Sequence, residues 1–236
     1  MSVHFGRREG AAILASALLA TTPSLQAQST FDGDLTGPGH SQVALDLLSY
    51  VAPTTSGGWV WFNPRVYHGF SHHLEAGLGM SAYSHQTNGG PSAIQPSLKW
   101  RALSDTTHHV IVSAGGQSLV AVQRGTDSYG LAFVSVDKWL NHSEKAAGAV
   151  AVGSYSLLGR DAASSDDRRG AIVSGWEAVG PVRISGSWLS GRNFYGYRTG
   201  AVTYTTASSR WFTVGYSVGN ATFHNAGPYF STGRAF

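Results

Sequence analysis

Hydrophobic side chains alternate with small or polar side chains along most of the chain after residue 40. In HLEAGLGMSAY, Leu74, Leu78 and Met80 lie on one set of alternate positions, and Glu75 and Ser81 lie on the other. Successive side chains of a β-strand point to opposite faces, so a period of two predicts strands with one apolar face. Twelve such segments lie at about 42–51, 58–69, 73–84, 93–103, 108–118, 128–139, 145–157, 168–178, 181–190, 197–206, 209–219 and 227–236.

The connections between these segments alternate between long and short. The long ones contain APTTSGG, SHQTNGGP, VQRGTDSY, LGRDAASSDDR, SGRNFYG and NATFHNAG, and the short ones contain FSHH, SDTTHH, NHSEK, GP and SSR. Long loops on one side and tight turns on the periplasmic side are typical of a transmembrane β-barrel. The sequence therefore predicts an all-β protein, a closed antiparallel up-and-down barrel of about twelve strands over residues 41–236. Barrels of ten or fourteen strands, and a secreted β-sandwich, remain alternatives.

Two prolines, Pro64 and Pro96, fall inside predicted strands. Proline cannot donate to the hydrogen-bond ladder, so within sheets it favours an edge or a bulge. Because a closed barrel has no edge, we expect a local bulge at each proline.

The first 27 residues predict a secretory signal peptide. Arg7 and Arg8 precede the apolar run AAILASALLA, which is too short to span a membrane, and residues 25–27 form a tolerable cleavage site. Residues 28–40 would then form a short periplasmic segment ahead of the barrel. The expected location is the cell outer membrane.

The composition narrows the choice of partners. Charged residues make up 12% of the chain, about half the share of an average soluble domain. A formal net charge of +3 is too small for a nucleic-acid-binding surface. The chain contains no cysteine, which excludes disulfides and cysteine-based metal or redox sites.

The signal peptide, the alternating strands, the sided loops and the terminal Phe236 together resemble the small, porin-like outer-membrane β-barrels of Gram-negative bacteria. Such barrels commonly end in alternating apolar residues that close on Phe, which the barrel-assembly machinery reads. Here Phe230 and Phe236 are in phase, but Thr232 and Arg234 lie between them. The resemblance implies outer-membrane lipids, lipopolysaccharide and the assembly machinery as partners, and passive transport without a cofactor.

The polar face of the strands predicts what lines the interior. Counting back from the turns places Arg65 opposite Glu75, Glu75 opposite Arg101, and Glu177 opposite Arg183, and pairs of opposite charge stabilise a sheet. The predicted interior set is Arg65, Glu75, Lys99, Arg101, Glu177 and Arg183. Its positive balance favours anions in a narrow pore for an unidentified small solute. A structural wall without a pore is the alternative, as is a barrel that binds partners through its loops.

The segment YSHQTNGG carries the strongest candidate for catalysis. His85, Thr87 and Asn88 resemble the catalytic segment of outer-membrane phospholipases and lipid A deacylases, although Thr87 stands where those enzymes have a nucleophilic Ser. This resemblance implies a lipid hydrolase as an alternative function. The same segment supplies the Asn-Gly residues of a hairpin turn, which predicts a structural loop and no enzyme activity.

Histidines and aromatic residues cluster near the predicted strand ends. Histidines on adjacent turns can bind a transition metal, but interfacial polar side chains explain the bias equally well, so no metal is expected. The histidines are His68, His72, His73, His108, His109 and His142. The aromatic residues predict interfacial girdles; they are Trp59, Trp61, Tyr67, Phe70, Trp139, Trp188, Phe194, Tyr195 and Tyr197.

Overall fold

The computed structural model describes residues 35–50, 59–83, 93–123, 128–143, 146–159, 167–193, 195–220 and 226–236. These residues form a closed antiparallel barrel of twelve strands, in which each strand pairs with its neighbours in sequence. The strands are β1 Ser41–Tyr50, β2 Trp59–Gly69, β3 Leu74–Tyr83, β4 Ala93–Asp105, β5 Val110–Ala121, β6 Tyr129–Ser143, β7 Ala146–Leu158, β8 Arg169–Val179, β9 Val182–Leu189, β10 Tyr197–Thr205, β11 Arg210–Gly219 and β12 Gly227–Ala235. The predicted fold and strand number are confirmed, and the alternative of an open sandwich is wrong.

The barrel closes where the first strand meets the last. β1 pairs with β12 from Gln42 opposite Ala235 to Leu48 opposite Tyr229. Beyond these pairs, the amide of Ser41 donates to the carbonyl of Phe236 at 2.9 Å, and the amide of Phe236 donates to the carbonyl of Ser41 at 3.0 Å. The sheet therefore has no open edge along this seam.

The predicted alternation of faces is present around the barrel. Large apolar side chains point outward, and Leu78, Leu98, Val152, Ile184 and Val214 are each more than half exposed. Such an apolar exterior around a closed sheet is the architecture of outer-membrane proteins, because hydrocarbon covers the outside. No helix of the described residues is long and apolar enough to cross a membrane.

The two ends of the barrel differ in their connections. Connections of two to four residues join the strands at 70–73, 106–109, 144–145, 180–181 and 206–209, and we call this end the short-turn end. Connections of seven to ten residues lie at 51–58, 84–92, 122–128, 159–168, 190–196 and 220–226, at the long-loop end. Gly180 has a φ of 58°, which suits the two-residue turn between β8 and β9.

The predicted bulges at Pro64 and Pro96 are wrong, because the register continues unchanged across both prolines. Pro64 pairs with Leu45 of β1, and Pro96 pairs with Leu78 of β3. On the other side of each strand, the ladder omits the proline. An antiparallel residue directs its N–H to one neighbour only, so the missing donor weakens one ladder without shifting it. The register shifts lie elsewhere, in the β4–β5 and β6–β7 pairs.

Five glycines of the inner face each lie beneath the aromatic ring directly opposite on the neighbouring strand. The pairs are Gly77 with Tyr67, Gly115 with Phe133, Gly170 with Tyr155, Gly215 with Tyr229 and Gly233 with Trp211. In each pair, the ring occupies the space that a Cβ on the glycine would need. The absent side chain therefore lets a large ring lie against the wall of the barrel.

We expect Gly215→Ala to lower the free energy of unfolding by about 1–3 kcal/mol, because the new methyl group would overlap the ring of Tyr229. Gly200→Ala on the adjacent strand β10 is the matched control, since nothing lies within 4 Å of a Cβ added there. Urea unfolding of the refolded protein in vesicles, followed by tryptophan fluorescence, measures both. Equal stability of the two variants would contradict the packing described for Gly215.

Candidate functional site

The inner wall carries both signs of charge. Seven charged side chains point inward from the strands: Asp46, Arg65, Glu75, Lys99, Arg101, Asp137 and Arg183. Four are basic and three are acidic, so the described wall has a net charge of +1. All except Arg101 are buried. Buried charges are tolerated only when they are paired and hydrogen-bonded, so the contacts of these groups define the site.

Asp46, Arg65 and Tyr67 form a compact cluster on the inner faces of β1 and β2. The guanidinium of Arg65 is in ion-pair contact with the Asp46 carboxylate. Its Nη1 donates to the Tyr67 hydroxyl at 2.9 Å, and its Cζ lies 5.5 Å from the centre of the Tyr67 ring. Since removal of one partner of a buried ion pair leaves an uncompensated charge, this cluster fixes Arg65 in the interior.

The same part of the wall has polar atoms that the protein leaves unpartnered. Within the described residues, the buried atoms Gln42 Oε1, Asn63 Oδ1 and Arg65 Nε have no hydrogen-bond partner. Gln42 lies on β1, and Asn63 and Arg65 lie on β2. Buried polar atoms nearly always have a partner, and where the protein supplies none, water or a polar solute does. The wall formed by β1 and β2 is therefore suited to contact water.

A stack of two tryptophans and an arginine lies on the inner wall of β6, β8 and β9. The rings of Trp139 and Trp176 meet edge to face, with 5.4 Å between their centres. Both tryptophans lie directly opposite Ala149 of β7, whose small side chain leaves room for the rings between β6 and β8. The Arg183 guanidinium lies 3.9 Å from the centre of the Trp176 ring. This cation–π contact holds a positive charge against the wall.

The chain ahead of β1 folds into the short-turn end of the barrel. The amide of Thr36 donates to Glu75 Oε2 at 2.6 Å, and the amide of Gly39 donates to the Gly69 carbonyl at 2.7 Å. The carbonyl oxygens of Thr36 and Gly37 occupy the space where a Cβ of Gly69 would lie. Since Gly69 and Glu75 both face the interior, residues 36–39 narrow this mouth of the barrel.

The long-loop end has an apolar wall on one side. The cluster on the inner faces of β6 to β9 consists of Leu131, Phe133, Tyr155, Leu157, Ile172 and Leu189, with Tyr129 and Tyr195 packed against it. The connection 190–196 is held there by Asn193, which is buried and donates through Nδ2 to the Tyr155 hydroxyl at 2.9 Å. Gln117 Nε2 donates to the Tyr195 hydroxyl at 3.4 Å. The inner wall of β6 to β9 is therefore apolar near the long loops, whereas most of the inward-facing charges lie nearer the short turns.

The predicted charge pairs are wrong in register. Arg65 lies opposite Gly79, and Glu75 lies opposite Gly69 on one side and Lys99 on the other. The turn at 70–73 is centred two residues away from the expected position, so the partner of Arg65 moves by four residues. The connection at 84–92 is centred one residue away, so the partner of Glu75 moves by two. The inward direction of Arg65, Glu75, Lys99 and Arg101 survives, because these shifts are whole multiples of the two-residue period.

The prediction that Glu177 lines the interior is wrong. The hairpin between β8 and β9 pairs Val179 with Val182, so Arg183 lies opposite Ala178 and Glu177 lies opposite Ile184. A slip of one residue reverses the face of a side chain, and Glu177 is exposed on the outside while Arg183 is buried inside.

The predictions omitted two interior carboxylates. Asp46 is 1% exposed, and its neighbours Leu45, Leu47 and Leu48 put apolar side chains on both faces, so the sequence hides which face is internal. Asp137 could have been found, because it shares the parity of Ser135, which is opposite to that of the outward-facing Val134 and Val136.

The histidines whose side chains the structure describes do not converge on one site. Within the described part of the chain, no three metal-ligating side chains come together. His68 Nδ1 bonds the Ser41 hydroxyl at 2.9 Å, and His73 Nδ1 bonds the Arg101 carbonyl at 3.0 Å. His108 Nδ1 contacts Asp105 Oδ2 at 2.6 Å, His72 and His109 are exposed, and the side chain of His142 is not among those described.

The aromatic girdle prediction is wrong for five residues. Tyr195 packs against the inner cluster, and Tyr197 has the inward parity of Ala201 on β10. Tyr67 is buried in the interior, Trp61 bonds the inward-facing Ser81, and Trp139 belongs to the inner stack. Trp188 and Phe70 are exposed, which fits the girdle prediction.

Three predicted elements lie outside the described residues. The signal peptide, 1–27, precedes the first described residue. The candidate catalytic residues His85, Thr87 and Asn88 fall in the interval 84–92. The structure likewise does not describe the side chain of Trp59 or any part of Phe194.

Comparison with known proteins shows a likeness of fold. No protein-family model and no curated protein sequence matches the chain. Two solved structures of the KdgM porin, one in complex with disordered oligogalacturonate and one without, match with a TM-score of 0.50. They are 8% and 7% identical, and each match covers 84% of this chain and 98% of the porin. The outer membrane phospholipase dimer of Salmonella typhi with bound calcium matches with a TM-score of 0.49 and 10% identity, over 83% of this chain and 90% of that one. At these identities, the likeness to KdgM shows a shared porin-like barrel fold.

Proposed function

We propose that this protein is a narrow, porin-like channel of the outer membrane, through which small solutes pass passively with a preference for anions. The observation that carries the proposal is the inner wall of β1 and β2, where charged side chains stand beside buried polar atoms without protein partners. A barrel that served only as a support would be more stable with an apolar, fully packed interior. Hydrocarbon and lipopolysaccharide would surround it, after insertion by the assembly machinery.

The number of strands sets the width of such a channel. Eight strands enclose little more than their own side chains, whereas sixteen enclose an open aqueous channel. Twelve strands fall between these cases. The aromatic rings that lie over inner glycines keep their volume close to the wall of the barrel. We infer a passage with room for small solutes only.

The preference for anions follows from the charges of the wall. Four basic and three acidic side chains point inward, and the Arg183 guanidinium is fixed against Trp176. In a confined passage with low-dielectric walls, one uncompensated charge acts strongly on a passing ion. A positive balance therefore lowers the barrier for anions relative to cations.

Residues 36–39 would restrict this passage at its short-turn end. They contact Gly69 and Glu75 through backbone atoms. These contacts use only backbone atoms of residues 36–39. The position of the segment therefore depends on the space above Gly69 and not on the segment's own side chains. This dependence gives a test of the channel and its constriction together.

We expect the refolded wild-type protein to give small, resolved conductance steps in planar bilayers, and Gly69→Ala to give larger ones. An alanine methyl group would collide with the carbonyls of Thr36 and Gly37 and displace the segment from the mouth. Gly186→Ala is the control, because a Cβ there makes only an ordinary contact of 3.6 Å with the Thr199 carbonyl. A wild-type protein without conductance would overturn the channel, and identical steps in Gly69→Ala would overturn the constriction.

We also expect Arg101→Glu to reverse the selectivity. The change leaves three basic and four acidic side chains on the inner wall, so its net charge goes from +1 to −1. The reversal potential in a potassium chloride gradient should change sign, because cations become the favoured ions. Lys138→Glu makes the same charge change on the outer face near the same end and should leave the reversal potential as it was. Equal effects of the two substitutions would show that Arg101 does not line the path of the ions.

A further inference from the structure

Two arginines face each other on the outer surface of the barrel. Arg210 is the first residue of β11 and lies directly opposite Arg234 near the end of β12. Both are exposed, and both belong to the outward-facing parity of their strands. Directly opposite residues of an antiparallel pair have Cβ atoms about 5 Å apart. The two side chains therefore start close together at the short-turn end, where both guanidinium groups can reach one ligand.

This pairing is unfavourable without an anion. Like charges directly opposite each other destabilise a sheet. Among the residues that the structure describes, no ion pair joins a carboxylate to Arg210 or Arg234. The described inward-facing carboxylates Asp46, Glu75 and Asp137 lie on the other side of the wall. An external anion would therefore offset a repulsion that no described ion pair relieves.

The surface beside the pair is apolar. On the long-loop side of Arg210, the outer face of β11 continues with Phe212 and Val214, and Val214 lies opposite Phe230 of β12. Arg234 is flanked on its other side by Val43 of β1, and Leu45 follows on that strand. Phe212 and Val214 are about half exposed. Two cations therefore stand where an apolar, outward-facing surface reaches the end of the barrel.

We propose that Arg210 and Arg234 together bind the phosphate of an anionic phospholipid from the periplasmic leaflet, with its acyl chains along the apolar surface of β11, β12 and β1. Two adjacent guanidinium groups match the geometry of a phosphate diester, to which arginine donates paired hydrogen bonds. The position is right for a headgroup, since the short-turn end faces the periplasm. Soluble phosphate would gain nothing from Phe212 and Val214, and this favours a lipid.

The site also accounts for an irregularity of the C-terminal strand. Outer-membrane barrels commonly end in alternating apolar residues, yet Arg234 interrupts that pattern two residues before Phe236. A lipid-facing arginine is costly in the middle of a bilayer and inexpensive near its interface. By binding a lipid headgroup at the rim, Arg234 stabilises the barrel in the membrane.

The test is native mass spectrometry of the full-length refolded protein, released from vesicles of phosphatidylcholine with phosphatidylglycerol. We expect the wild type to retain phosphatidylglycerol, and the double variant Arg210→Gln, Arg234→Gln to bind it about thirtyfold more weakly, which is the equivalent of about 1 kcal/mol for each arginine. Arg198→Gln is the matched control, because Arg198 is an exposed outer-face arginine near the opposite end, paired with Val218 and Trp188. Equal retention by the double variant and the control would overturn the site.

Thermal unfolding in two kinds of vesicle gives a second readout, for which the protein need not be released from the membrane. In phosphatidylcholine alone, Arg234→Gln should unfold at the same temperature as the wild type or higher, because one of two repelling charges is gone. Adding phosphatidylglycerol should stabilise the wild type more than the variant, so that the wild type then unfolds at the higher temperature. Inorganic phosphate added to phosphatidylcholine vesicles should not reproduce this effect. If it does so fully, or if the variant gains as much from phosphatidylglycerol as the wild type, the assignment to a lipid is wrong.

Discussion

Backbone hydrogen bonding inside hydrocarbon is the constraint on which the whole structure depends. A lipid bilayer offers no partner to an N–H or C=O group, so a sheet that crosses it must close on itself. Here the pairing of β1 with β12 supplies that closure, and the bonds between Ser41 and Phe236 extend it to the last residue. Once the sheet is closed, its apolar face is outside and every polar side chain of the other parity is confined within.

That confinement explains the interior. Charged groups inside a closed wall must find partners within reach, and Asp46, Arg65 and Tyr67 do so on adjacent strands. Trp176 serves the same purpose for Arg183 through the face of its ring. Where pairing is incomplete, as at Gln42 and Asn63, the wall is suited to contact water or solute, and the proposed transport function rests on this property.

The sequence predicted the strands well because one physical pattern, the two-residue period, determines both the strand and its face. It did not predict registers, because these depend on turns whose centres a sequence does not reveal. The turn between β8 and β9 is centred half a residue from the predicted position, which shifts the pairing by one residue, and Glu177 lies on the outer face. The pairing of β3 with β4 shifts by an even number of residues, so Glu75 and Lys99 remain inside. Aromatic residues were misplaced for another reason: Tyr67 and Trp139 pack against a glycine or an alanine on the next strand, and only the register shows that. The candidate catalytic residues His85 and Thr87 lie beyond the described residues, so a lipid hydrolase remains a prediction from sequence.

The central claim is that hydrocarbon covers the outer face of this closed sheet, and one spin label tests it directly. The chain has no cysteine, so Val214→Cys creates a single attachment site for a nitroxide in the middle of the outer face of β11. In phospholipid vesicles, dissolved oxygen should relax the label strongly and a water-soluble nickel chelate should hardly reach it. Stronger relaxation by the nickel chelate than by oxygen would place Val214 in water and contradict the account.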